Sequence, residues 1–189
     1  MRGSLKLLIA TVVLIFSECG WAQGVYSAKR NNLGGLTFGA GIDYWDTDYT
    51  QAWKFGPTAW ASMELTHGFG LIGEGRSLLA GGNLPGFKYW VGEGGVAYTV
   101  HRWRAVRPYA KAELGFASLD VQRTATYRSH DTRTTWAVGG GLEYRTWRHL
   151  WTRADYTYDG FPGYLSFTTF QKHTLNPNGI SVGVSYHFR

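Results

Sequence analysis

The sequence has 189 residues and a formal net charge of +6; 44% of it is hydrophobic and 17% charged, with 26 Gly, 9 Trp, 12 Tyr and 10 Phe. Its mean hydropathy is −0.23, and no run after residue 22 approaches the roughly 18–20 apolar residues of a membrane helix, which excludes a helical membrane protein. Aromatics this abundant exclude disorder, and glycine at nearly twice its usual share of about 7% argues against helices, leaving an all-β chain.

The N-terminus sets the compartment. Arg2 and Lys6 form a basic start, Leu7 to Phe16 an apolar run, and Ser17 to Ala22 a short polar and small-residue stretch. This is the layout of a secretory signal peptide over residues 1–22, too short for a stable span, with Gly20 and Ala22 setting cleavage after Ala22. Glu18 ahead of Cys19 disfavours lipoprotein processing. Cleavage would remove the only cysteine, and with it disulfides, thiolate metal sites and Cys nucleophiles. Without Arg2, Lys6 and Glu18 the net charge becomes +5, too modest and scattered for a nucleic-acid binder. Residues 23–33 read as a short N-terminal periplasmic segment and 34–189 as one folded domain.

Period-2 patterning then predicts eight strands, at about 35–45, 57–66, 69–77, 88–100, 107–118, 134–145, 150–159 and 179–188. Their connections alternate in length. His67-Gly68, His101 to Val106 and Thr146 to His149 are short; Asp46 to Gly56, Leu78 to Phe87, Leu119 to Arg133 and Gly160 to Asn178 are long. Short turns at one end and long loops at the other mark a transmembrane barrel, with strands near the ~9–11 residues needed to cross.

One face of each strand is apolar: Leu36, Phe38, Ala40, Ile42 and Tyr44 in the first; Ala59, Ala61, Met63 and Leu65 in the second; Ala110, Ala112, Leu114 and Phe116 in the fifth. Trp136, Val138, Leu142 and Tyr144 follow in the sixth, Ala154, Tyr156 and Tyr158 in the seventh, and Ile180, Val182, Val184, Tyr186 and Phe188 in the last. In the third and fourth, Gly73, Gly75, Gly92 and Gly94 occupy the presumed outer face. The opposite face is Gly, Ser and Thr with mid-strand charges: Asp43, Glu64, Glu74, Glu93, Glu113, Glu143 and Asp155 against Arg76, Lys111, Arg145 and Arg153. Alternation alone fits a soluble barrel as well as a membrane one. Small residues with compensating charges suit a narrow polar lumen instead. Aromatics at the strand ends (Tyr44-Trp45, Phe87, Tyr89-Trp90, Tyr109, Tyr144, Trp147, Trp151, Tyr158, Phe161) suit interfacial girdles. The expected fold is an eight-stranded antiparallel up-and-down transmembrane β-barrel.

These features together resemble the small outer-membrane β-barrel family that includes the OmpA transmembrane domain and the opacity proteins, the porin-family barrels. The resemblance runs from Gly34 to Phe188, and its closest motif is Asn178-Gly-Ile-Ser-Val-Gly-Val-Ser-Tyr-His-Phe188. That stretch is similar to the family's C-terminal insertion signal, in which Val184, Tyr186 and Phe188 would be read by the barrel assembly machinery; Arg189 after the aromatic is a departure. The resemblance implies the outer membrane of a Gram-negative cell, with lipid and lipopolysaccharide as surroundings. No appended peptidoglycan-binding domain is expected, because the sequence stops at the barrel.

Function is less directly written. An eight-stranded barrel is filled by its own side chains, so the lumen charges, with His187 beside them, read as a salt-bridged network closing the interior rather than a pore. A narrow porin for small solutes or ions is the alternative. A lipid A-modifying enzyme is the second, needing His beside Ser with an orienting carboxylate. Tyr127-Arg-Ser-His-Asp131 holds the one local cluster, and adjacent residues rarely meet in that geometry. His67, His101 and His149 fall in short turns and His173 in the last long loop. No metal-ligand spacing exists, and the glycine clusters 92–95 and 139–141 lack the helix that would hold phosphate. No catalytic residue, cofactor or metal is expected. The long loops, with Trp53-Lys54-Phe55, Arg123 to Arg133 and Phe161 to His173, offer aromatics and cations to an extracellular ligand or to lipopolysaccharide phosphates.

Overall fold

A strand points alternate side chains to opposite faces, and a sheet leaves no unpaired edge only by closing on itself. The computed structural model describes residues 35–46, 48, 53–80, 86–122, 128–165 and 172–188; the expected signal peptide and the segment 23–33 lie outside them. The strands are β1 (Leu36–Asp46), β2 (Lys54–Thr66), β3 (Phe69–Ala80), β4 (Gly86–Thr99), β5 (Val106–Gln122), β6 (Arg128–Arg145), β7 (Leu150–Leu165), β8 (Lys172–Leu175) and β9 (Asn178–His187). Neighbours run β6-β5-β4-β3-β2-β1-β9-β7, and β6 pairs with β7 to close an eight-stranded antiparallel barrel. β8 is a short addition to β7. The seam joins the first strand to the last, from Thr37 opposite His187 to Asp46 opposite Asn178.

The apolar face points outward. Leu114 is 72% and Ile42 62% exposed, whereas Glu113, next to Leu114, and Lys111, three residues before it, are 2% and 4% exposed. A water-soluble barrel would show the reverse. Gly73, Gly75 and Gly94 do lie on this outer face, where a side chain would meet nothing closer than 3.7, 3.9 and 3.7 Å. Inside, space is short: the Trp60 indole lies directly on the bare backbone of Gly39, where any Cβ would overlap the ring. The β2–β3 turn needs only His67 (φ 47°) and Gly68 (φ 88°). Two successive left-handed residues give the tight primed turn whose twist matches the strands it joins.

Two expectations need correction. The segment Leu119 to Arg133 is largely hairpin, because β5 and β6 stay paired out to Gln122 opposite Arg128. Likewise β7 runs on to Leu165 and pairs with β8. The outward residues here are Ser118, Asp120, Thr132 and Thr134. A hairpin that has left the apolar layer needs no apolar row, so the hydropathy period fades although pairing continues.

The second correction concerns the girdles. Trp45, Tyr89, Tyr109, Trp151 and Phe161 are buried inside the barrel, at 0%, 3%, 9%, 1% and 6% exposure. Consecutive strand residues face opposite sides, so Tyr44-Trp45 and Tyr89-Trp90 can each give only one ring to the outside. Tyr44, Trp90, Tyr144 and Trp147 are the outward members. Trp53 and Phe55 stack on Tyr44, with ring centroids 4.8 and 4.5 Å away.

Candidate functional site

The lumen is divided into three layers. At the long-loop end Trp45, Leu78, Tyr89, Val91, Ala117, Leu119 and Phe161 form a buried apolar cluster, with Leu175 packed against it. β8 contributes here: its last residue, Leu175, lies opposite Phe161 of β7. This layer places apolar side chains across one end of the lumen.

Beneath it lies a charged layer that spans the lumen from wall to wall. The Arg76 guanidinium donates to Asp159 at 2.8 Å and to Glu74 at 3.3 Å. It also pairs with Glu93 at 3.5 Å and Asp43 at 3.6 Å. Its flat face lies 4.2 Å from the Trp45 ring, joining the two layers by a cation–π contact. Lys111 donates to Glu74 and pairs with Glu113 at 3.2 Å and Asp155 at 3.7 Å. Arg153 donates to Glu74 and, at 2.7 Å, to Asp155. It is sandwiched by Trp60 and Tyr109, 4.5 and 4.9 Å from the ring centroids. The Tyr109 hydroxyl and the Thr157 hydroxyl complete Asp155 at 2.8 and 3.2 Å.

Six carboxylates (Asp43, Glu74, Glu93, Glu113, Asp155, Asp159) and three bases (Arg76, Lys111, Arg153) are buried among the described residues. Each base therefore holds several acids. Removing a base strands them in low dielectric, at about 3–5 kcal/mol for a buried pair. Removing one acid leaves the bases supplied.

The third layer, at the short-turn end, is open. A cavity of about 220 Å³ is lined by Thr37, Glu64, His101, Arg107, Glu143 and Arg153 among others. Its charges are matched locally: His101 Nε2 lies 2.9 Å from Glu64, His187 Nε2 lies 3.8 Å from Glu143, and Arg107 stacks on Trp151 at 4.2 Å. Arg153 and Tyr109 of the charged layer are among its lining residues. Among the described residues no group of three or more His, Cys, Asp or Glu side chains is arranged to hold a metal ion.

An eight-stranded barrel with an apolar outside is shared with known proteins. The sequence matches the family described as outer membrane protein beta-barrel domain over residues 9–188. The chain belongs to this outer-membrane barrel family. No curated protein matches it significantly. Among solved structures, Neisserial surface protein A superimposes with a TM-score of 0.62 at 17% identity, covering 82% of this chain and 97% of that one. Ail of Yersinia pestis gives 0.56 at 16%, over 84% and 99%. The N-terminal barrel domain of Pseudomonas aeruginosa OprF gives 0.54 at 13%, over 82% and 99%. At these identities the likeness is one of fold, and the location is the bacterial outer membrane. The short turns of such a barrel are periplasmic and the long ends extracellular.

The residues singled out in the sequence are not all brought together. Asp43, Glu74, Arg76, Glu93, Lys111, Glu113, Arg153 and Asp155 meet in the charged layer. Glu64, Glu143 and His187 instead line the periplasmic cavity. Arg145 joins neither; its guanidinium donates to the carbonyls of Trp147 and Arg148 at 3.4 Å each, in the turn it precedes. Asp159, Arg107, Tyr109, Trp45 and Trp60 belong to the interior and were not singled out for the network. Asp159 shares the parity of Arg153 and Asp155, which was the available signal. The side chains of Ser129, His130 and His173 lie outside the described residues. Val184 and Tyr186 project outward from β9 and Phe188 from the residue after it, where Phe188 donates its N–H to the Leu36 carbonyl at 2.8 Å across the closing seam.

Proposed function

We propose that this barrel works at the cell surface through its extracellular ends, with a lumen that conducts nothing and no catalytic activity. The observation that carries the reading is the pairing of a filled lumen with a projecting hairpin. The outward face of β5 and β6 turns polar at Ser118 and Thr134, yet the strands remain paired to Gln122 and Arg128. The hairpin therefore runs roughly 15 Å along its strands beyond the apolar layer, at about 3.3 Å per residue. A pore has no use for this extension, whereas a binding surface does.

The ligand class we assign is polyanionic. The extracellular end carries Lys54, Lys88, Arg123, Arg128, Arg133 and Lys172 in its sequence, against Asp46, Asp48, Asp120 and Asp131. Ail has been solved in complex with the heparin analogue sucrose octasulfate, at a TM-score of 0.58 and 17% identity to this chain. Lipopolysaccharide phosphates around the barrel offer the same chemistry. The barrel assembly machinery would be met during insertion, through Val184, Tyr186 and Phe188. As for catalysis, Ser185 Oγ and Glu143 both approach the same nitrogen of His187, at 3.5 and 3.8 Å, so no relay through the two ring nitrogens is formed.

Binding of a sulfated glycan to the refolded protein tests the surface role. We expect salt-sensitive binding that falls when Lys54, Lys88 and Arg133 are changed together to Gln; binding unaffected by these changes contradicts the polyanion assignment. Unchanged lipid A masses in cells with and without the protein are the expected result for the absence of catalysis.

A further inference from the structure

At the opposite end of the barrel the three described periplasmic turns share an unusual composition. Thr66-His67-Gly68, His101-Arg-Trp-Arg-Ala-Val106 and Arg145-Thr-Trp-Arg-His149 contain four arginines, three histidines, two tryptophans and no acidic residue. The nearest carboxylates, Glu64 and Glu143, turn into the cavity, where each faces a histidine. Arg102, Arg104 and Arg148 are exposed, as are Trp103 at 52% and Trp147 at 74%. Arg102 lies over the Trp103 ring at 5.9 Å. Nothing in the lumen or in the closure of the sheet uses these side chains.

From this rim we infer that the barrel selects anionic phospholipid headgroups in the inner leaflet of the outer membrane. Depth supports it. The last outward strand rings on this side are Phe69, Tyr98, Tyr144 and Phe188, and the turn arginines of the neighbouring strands follow within a few residues. At about 3.3 Å per residue the guanidinium groups reach the phosphate level and not the open periplasm. Their chemistry supports it too. Arg binds phosphate oxygens in bidentate fashion, and Trp with one polar edge settles at the headgroup boundary. Three exposed arginines, with Arg145 held on the turn carbonyls behind them, favour lipids with net negative charge over zwitterionic ones, each basic residue near such a surface giving about a fivefold preference. A glycan or protein deeper in the periplasm would need a reach that turns of two to six residues do not have. The inference concerns the end opposite the loop surface proposed above, so either can fail without the other.

The test uses the full chain, refolded and reconstituted in bilayers of phosphatidylethanolamine and phosphatidylglycerol, then released with its retained lipids for native mass spectrometry. The expected result is enrichment of phosphatidylglycerol of about tenfold or more over the bulk ratio, weakened at 0.5 M salt relative to 0.05 M as screening predicts. Enrichment should fall to near parity in the R102Q/R104Q/R145Q/R148Q variant and persist in K54Q/K88Q, which alters the far end. Heat-modifiable gel mobility checks that each variant is folded. Should the fourfold variant not fold, R104K/R148K, which keeps the charge, must retain the enrichment and R104Q/R148Q must reduce it. No enrichment in the wild type, or enrichment indifferent to the arginines and to salt, overturns the inference. Arginine-dependent retention on purified peptidoglycan without lipid selectivity also overturns it, in favour of a glycan partner.

Discussion

The two halves of the lumen solve the same problem differently. On the extracellular side, apolar rings and three clamped bases fill the lumen, and its charges are buried. On the periplasmic side a cavity of about 220 Å³ admits solvent, and its pairs are local, His101 with Glu64 and His187 with Glu143. The first half depends on each of its three bases and on its apolar side chains, because a stranded carboxylate or a void there lies away from bulk solvent. The second tolerates loss, because solvent replaces the missing partner. Stability should therefore be concentrated in one half of the barrel, whereas adaptability to the surroundings lies in the other.

Substitutions can break this contrast. Arg76→Met should have the largest effect: Asp43, Glu74, Glu93 and Asp159 lose their shared cation, at about 3–5 kcal/mol. Urea unfolding followed by tryptophan emission should show a lowered midpoint or failure to refold. Next comes Leu78→Ala in the apolar layer, at about 2–5 kcal/mol for a fully buried leucine, read in the same titration. His101→Ala, whose pair with Glu64 leaves both side chains about one-third exposed at 35% and 31%, should cost under about 1 kcal/mol. The smallest effect belongs to Glu113→Gln in the charged layer. It removes one acid where acids outnumber bases, and should leave the midpoint unchanged or slightly raised. A loss at Glu113 as large as at Arg76 would mean that the charges count individually rather than through their three cations.

Much of this was legible in the sequence, because a transmembrane barrel writes its two environments on alternate residues. Leu114 and Lys111 announce their opposite faces by chemistry alone, and the alternating turn lengths give the topology. Aromatic side chains do not declare themselves in this way. Trp45, Tyr109 and Trp151 look like interfacial anchors by position along the strand, and only the parity of their neighbours Tyr44, Ala110 and Thr152 assigns them to the lumen. The paired extension of β5 and β6 beyond Ser118 was hidden for a different reason. Outside the apolar layer both strand faces meet water, so pairing leaves no hydropathy signature. Which acid meets which base was also hidden, since it depends on stagger around a closed sheet: Arg76 of β3 reaches Asp159 of β7 across the lumen.

The claim on which the rest depends is that the filled half of the lumen seals the barrel. Single-channel recording across a planar bilayer containing the folded wild-type protein tests it most directly. A quiet baseline at both polarities is the result expected from the apolar cluster and the Arg76, Lys111 and Arg153 clamps. Stable, discrete openings from wild-type protein that still shows heat-modifiable mobility would contradict it.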